Sequence, residues 1–308
     1  MAKGRQRGDR RDGRFLRDED PMHLFMPYLL PNRADNEAVL TETIDLTALL
    51  QYINDKNSGN PDFKYTMFHG LCAALGKTIA QRPKMNRFIQ GRRLYERKGI
   101  SLSFVVKKQL NDDSREALAI VSFDGQSQRT SMEQIYEQVR HIVQGVRQAD
   151  QTDGATDVMA VLTKLPRPLL RLVVAGLHFL DYYGWMPKSL SDVDPYYRTV
   201  FISNLGSIKL SADYHHLTNY GTNSFFVVVG EMHKRPFFAP DGSYSMRDAV
   251  ELGLTIDERI ADGAYFSGSL RLLRYLLANP ALLDEPACQP VDIPSSFGKE
   301  NGAFASSR

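Results

Sequence analysis

The strongest constraint in this chain is the passage from an alternating apolar run, Val250 to Ile256, into a strongly periodic segment, Ala264 to Leu277, through Asp257-Glu258-Arg259-Ile260-Ala261-Asp262-Gly263. Alternation predicts a strand with one buried face, and apolar residues three to four apart predict a helix. An acidic, glycine-ended turn between two rigid elements is a place where polar groups can be held for reaction.

The remainder of the chain supplies elements of both kinds. Ala38 to Asp45 alternates as a strand, and Leu46 to Ile53 closes as a short helix. Thr66 to Gln81 carries Met67, Leu71, Leu75 and Ile79 on one side of a buried helix that stops before Pro83. Strands are predicted over Arg92 to Glu96, Ser101 to Lys107 and Ala117 to Phe123, followed by a helix over Ser131 to Val146. Two further helices are expected at Asp157 to Leu165 and Pro168 to Trp185. Strands at Tyr197 to Ile202 and Asn223 to Val229 then lead back to the opening stretch. Met22 to Leu30 reads as a first helix interrupted at Pro27.

Several short motifs in this order resemble the chloramphenicol acetyltransferase-like superfamily, and within it the catalytic domain of the 2-oxo acid dehydrogenase (dihydrolipoyl) acyltransferases. Asp257, Arg259, Asp262 and Gly263 match Asp-His-Arg-x-x-Asp-Gly, with Glu258 at the histidine position. Ser203-Asn204-Leu205-Gly206 is similar to the family's serine turn, and Arg82-Pro83-Lys84-Met85-Asn86 to its His-Pro-x-x-Asn. Asp45-Leu46-Thr47 resembles the opening of its first helix, and Leu277 to Leu283 its Leu-x-Asn-Pro-x-Leu-Leu. The resemblance spans about residues 22 to 285. It implies a two-layer α/β sandwich with a mixed sheet, assembled as a homotrimer or a multiple of trimers with sites between subunits.

The resemblance also implies roles for individual residues. Ser203 takes the place of the hydroxyl that stabilises a tetrahedral oxyanion, and Glu258 or His216 would act as base. Asn204, Tyr214 and His215 would line the acceptor pocket. Asp262 and Gly263 would support the turn, with Arg17 as the candidate arginine that pairs with Asp262 and Arg14 equally within reach of it. A coenzyme A thioester is the implied co-substrate, and no covalently bound lipoyl group is expected. A carboxylate ordinarily titrates near about 4.3 and a thiol near about 8.5, so Glu258 is a weaker base than histidine unless burial raises its pKa. Two functions therefore stand side by side: a free-standing acyltransferase-like protein, or an inactive trimeric scaffold or ligand-binding protein that lost the histidine.

Composition bounds the rest. The chain of 308 residues has a formal net charge of +2, which gives no reason to expect nucleic acid at the main domain. Seven basic residues stand against two acidic ones in residues 1–17, and few apolar residues precede Phe15, so residues 1–20 read as a mobile basic tail. The domain is expected over 21–289, with a helical insertion at 150–197 and a mobile tail over 290–308. The insertion reads as added core or a subunit contact, or else as a lid over an apolar pocket or a membrane-surface helix. Its apolar run is too broken for a transmembrane span. Cys72 and Cys288 make neither a disulfide framework nor a metal set, which makes the cytoplasm the default location. His69 reads as a core histidine.

Overall fold

The computed structural model describes residues 6–107, 116–148, 162–239 and 241–297. Its centre is a mixed sheet built from β2 (Glu37–Asp45), β5 (Ile100–Lys107), β6 (Glu116–Phe123), β7 (Val200–Asn204), β8 (Phe225–Val229), β9 (His233–Phe238) and β10 (Tyr244–Asp257). The order is β2-β10-β8-β7-β5-β6, with β9 paired to the first half of β10. β7 runs parallel to both β5 and β8, and the other pairings are antiparallel. A second sheet of three strands joins β1 (Gly13–Phe15), β4 (Arg93–Arg97) and β3 (Arg87–Gln90).

The two faces of the central sheet are covered differently, and alternation along the strands decides which residue meets which cover. Leu252, Leu254 and Ile256 of β10 join Ile202, Phe225, Val227 and Val229 in the main core. That core lies under α2 (Thr47–Asn57), α3 (Met67–Gln81), α4 (Ser131–Gln148) and α7 (Gly263–Ala278). On the opposite face Phe201, Phe226 and Val228 form a smaller cluster with Leu217, which belongs to the connection after β7. That connection lies so close that a Cβ on Gly253 would sit 2.1 Å from the Asp213 carbonyl oxygen. β8 is buried on both faces, which is why it reads as the unbroken run Phe225-Phe226-Val227-Val228-Val229.

The remaining helices are α1 (Pro21–Leu29), α5 (Arg167–Tyr183) and the short α6 (Lys188–Ser191). α1 continues through Pro27, whereas the sequence predicts an interruption there. Proline near the end of a short helix removes one N–H, and the Leu30 amide still closes the last turn on the Met26 carbonyl at 2.8 Å.

Two expectations change here. Residues 6–20 pack on the body: β1 pairs with β4, the Leu16 amide bonds Leu94, and Arg10 is buried between Asp12 and Asp181. The charges that made this segment look solvated find partners far along the chain. At the other end, the Val291 amide bonds Gln81 and Phe297 packs edge-on against Tyr275, so 290–297 are docked, while 298–308 lie outside the described residues.

The apolar run of α5 is not core: Leu172 is 69% exposed and Leu169 44%. What holds this helix is the residue that appeared to break its pattern. Asp181 is fully buried and accepts from the Tyr197 hydroxyl at 2.7 Å, the Gln90 amide at 2.6 Å and the Gly221 N–H at 3.2 Å. Burial raises the pKa of Asp181, against the pull of Tyr197 and Arg10. Most of the predicted helix at Asp157 to Leu165 lies outside the described residues. Among the described residues no helix is long and apolar enough to cross a membrane.

Candidate functional site

The turn after β10 is fixed by its own first residue. Asp257 is fully buried and takes both sides of the Arg259 guanidinium, at 2.8 Å from Nε and 2.7 Å from Nη2. It also accepts from the Arg259 amide at 3.2 Å. A second buried arginine, Arg33, lies 3.6 Å from the same carboxylate and donates to the carbonyls of Ile89, Gly221 and Thr218. Burial lowers the pKa of Arg33, and Asp257 offsets part of that. A buried pair of this kind adds little net stability, but deleting one partner strands the other charge in low dielectric, at about 3–5 kcal/mol.

The resemblance paired Arg17 with Asp262, and the structure corrects both partners. Arg17 donates to the Arg7 carbonyl and lies over the Phe15 ring. The arginine from the N-terminal segment that reaches the motif is Arg33, and its carboxylate is Asp257. Asp262 is exposed and caps α7 by accepting from the Tyr265 amide at 2.7 Å, the bond that does most to lower its pKa. Gly263 follows as the first residue of α7.

Arg259 fastens α1 to the turn at two points. Its guanidinium donates to the Leu30 carbonyl at 2.7 Å, and its own carbonyl lies 3.1 Å from His23 Nδ1. Between α1 and the turn is a cavity of about 330 Å³, lined by Met22, His23 and Met26, by Ala38 of β2, and by Glu258, Asp262 and Phe266 across from them. Glu258 is exposed at its rim.

The second candidate wall belongs to β7. Ser203 is half-buried and stands opposite Val228 in the parallel ladder, on the sheet face covered by residues 209–219. His215 stacks on Phe226 with ring centres 4.2 Å apart and planes 4° from parallel, and Phe226 stacks in turn on Phe201. Tyr214 shares a hydrogen bond with the Thr41 hydroxyl. His216 is exposed, its Nδ1 3.4 Å from the Leu217 carbonyl, while the Leu217 amide donates to Glu37 at the start of β2. Asn204 ends β7, half-buried. The structure thus gathers Ser203, Tyr214 and His215 on one sheet face.

Glu258 is not with them. Val228 stands opposite Gly253, so two strand spacings of about 4.8 Å and five residues of about 3.4 Å set Ser203 and Glu258 roughly 20 Å apart. The Glu258 cavity also takes in Ala38 and Phe266 from the helix side of the sheet, whereas Ser203 faces the other side. Ser203 and His216 are not among the residues that line it.

The sequence reading missed His23, Arg33 and Asp181. A lone histidine in an apolar helix has no local signature, and the partners of all three lie elsewhere in the chain. The aromatic residues at the end of α5 and beyond it in the sequence part ways: Tyr183 stacks on Trp185 at an exposed edge, while Tyr197 is buried on Asp181. His69 is a buried core histidine with Nδ1 accepting from the Thr66 amide, though its Nε2 has no hydrogen-bond partner among the described residues. Among the described residues no three metal-ligating side chains are grouped to hold an ion.

Residues 188–284, which contain both walls, match the sequence profile of the 2-oxoacid dehydrogenases acyltransferase (catalytic domain) family. In three dimensions the chain is similar to a probable dihydrolipoamide acetyltransferase from Listeria monocytogenes 4b F2365, at 17% identity and a TM-score of 0.55, covering 85% of this chain and 95% of that one. It is similar to a chloramphenicol acetyltransferase at 11% identity and a TM-score of 0.53, over 87% of this chain and 98% of that one. A truncated catalytic core of the 2-oxoacid dehydrogenase multienzyme complex from Thermoplasma acidophilum aligns at 16% identity and a TM-score of 0.50, over 87% and 99% of the two chains. No curated protein sequence matches the chain. At these identities the structural likeness establishes the fold.

Proposed function

For a chain that has the chloramphenicol acetyltransferase-like fold and carries the 2-oxoacid dehydrogenase acyltransferase catalytic-domain pattern over 188–284, we propose acyl transfer from a coenzyme A thioester to a thiol or hydroxyl acceptor. The transfer takes place where copies of the chain meet in a homotrimer. The observation that carries this reading is the arrangement of the two walls: both fall within the matched residues, yet one chain holds them roughly 20 Å apart on different sides of its sheet. A reaction centre needs its oxyanion donor within about 3 Å of the reacting oxygen. A second copy that brings its Ser203 to the Glu258 turn supplies that distance, and neither wall has to move.

A second reading follows from Glu258 itself. An exposed carboxylate at the family's histidine position is a poor base for a thiol or an alcohol and adds negative charge near a developing oxyanion. On that reading the chain is a trimeric scaffold or binding protein. The deciding measurement is release of free coenzyme A from a panel of CoA thioesters in the presence of thiol and alcohol acceptors. Acceptor-dependent release by the wild type supports the enzyme. No release by the wild type, together with transfer restored in Glu258→His, supports the scaffold.

A further inference from the structure

The Glu258 cavity already contains an imidazole. It comes from α1, a helix that the sequence pattern gives no part in the chemistry, and it is set in place by the motif turn. A carbonyl oxygen only accepts, so the 3.1 Å contact between His23 Nδ1 and the Arg259 carbonyl assigns the ring proton to Nδ1. Nε2 is then the lone-pair nitrogen of a half-buried ring that lines the cavity. The carbonyl that orients the ring belongs to the residue whose side chain is locked on buried Asp257, so the support is rigid. The same arginine holds the far end of α1 through Leu30, which leaves the helix little freedom to swing His23 away.

We infer that His23 is the general base of this site, with Glu258 as the carboxylate that stabilises its protonated form, and that the acceptor is an uncharged or cationic thiol or alcohol with an apolar body. The inference rests on the acyl-transfer reading. As the acceptor sulfur or oxygen forms its bond to the acyl carbon, its proton passes to Nε2 and the carbonyl π electrons move onto oxygen. Collapse of that oxyanion breaks the carbon–sulfur bond to coenzyme A, and the imidazolium returns the proton to the departing sulfur. No further reactant is needed. The acceptor class follows from the walls: Met22, Met26, Ala38 and Phe266 are apolar, and the charged residues that line the cavity with His23 are the carboxylates Glu258 and Asp262 and the arginine Arg259. The Arg259 guanidinium is committed to Asp257, and Lys84 lies near Asp262.

The test replaces the ring and keeps its anchor. Asparagine places a nitrogen donor where Nδ1 sits and offers no base, so His23→Asn retains the bond to Arg259. With acetyl-CoA and octanoyl-CoA as donors and 2-mercaptoethylamine as acceptor, His23→Asn is expected to lower kcat/KM at least about 100-fold with KM little changed. Glu258→Gln is expected to cost no more than about tenfold and to keep the acid limb of the pH profile, which His23→Asn loses. Mercaptoacetate should react at least about tenfold more slowly than 2-mercaptoethylamine, and Glu258→Gln should narrow that gap. Wild-type rates in His23→Asn overturn the assignment, and a preference for mercaptoacetate overturns the acceptor class. Should the wild type release no coenzyme A, the acyl-transfer reading fails separately, and diethyl pyrocarbonate labelling read by peptide mass spectrometry still tests the ring. Modification of His23 at a rate near that of exposed His233 supports an open Nε2, and a His23 that stays unmodified overturns it.

Discussion

The Glu258 turn and the Ser203 turn leave opposite ends of one sheet, on strands separated by β8, and they are fixed by different physics. Ser203 is held by a parallel ladder, with Val228 opposite and the stacked rings of Phe201, Phe226 and His215 close by. Glu258 is held by buried charge: Asp257, Arg259 and Arg33 join β10, α1 and the segment before β2 at one point. Strand ladders grade their strength over many bonds, whereas a buried charge cluster fails as a unit when one member goes. The two walls should therefore respond differently to single substitutions.

The largest effect is expected from Asp257→Ala, which takes from two buried guanidinium groups the carboxylate they share. Thermal or urea denaturation should show a loss of about 3–5 kcal/mol. A loss below about 1 kcal/mol would mean that water reaches the cluster and that the contrast between the walls is false. Next comes Ser203→Ala, which should cost transfer about 100- to 1,000-fold while leaving the melting temperature where it was. A stability loss matching that of Asp257→Ala would show Ser203 to be a structural member of its wall.

The core beneath both walls provides a reference. Burial lowers the pKa of His69 to about 4, against an unfolded value of about 6.5. The unfolded chain binds the extra proton between these values, so stability is present above about pH 6.5 and is lost as pH falls towards 4, by up to about 3 kcal/mol. His69→Gln should flatten that slope in urea titrations run across the range. An unchanged slope would place the titrating group elsewhere. The smallest effect is expected from Gly253→Ala. Its new methyl meets the Asp213 carbonyl, and overpacking of this sort costs about 1–3 kcal/mol. Hydrogen exchange should quicken across 209–219 and stay unchanged at 257–263; equal changes in both segments would erase the distinction between the walls.

This difference also decides what could be read from the sequence. The Ser203 turn and the strand ahead of it are local: an apolar run followed by a Ser-Asn-Leu-Gly turn declares itself within ten residues. β8 declares itself as a run of apolar residues because it is covered on both faces. The Glu258 turn was legible as a position, but its support was not, since Arg33, His23 and Leu30 reach it from more than two hundred residues away and no spacing rule links them. Arg10 and Asp181 mislead for the same reason. One looks like part of a solvated tail and the other like a flaw in an apolar helix, and the two are buried against each other. β9 and the first half of β10 project as a hairpin exposed on both sides, so the apolar alternation that marks a half-buried strand is absent there.

The central claim is that the Ser203 wall of one copy meets the Glu258 wall of another, and a cross-link tests it without reference to activity. Ser203→Cys and Glu258→Cys are placed in separate copies in a Cys288→Ser background, with Cys72 buried and its thiol pushed up by burial. The copies are co-assembled and treated with a short bis-maleimide. The account predicts an inter-chain product that joins position 203 to position 258, forms only in the mixed sample, and runs in an assembly of three 34.8 kDa chains. A clean monomer, or a trimer in which no such product forms, would contradict it.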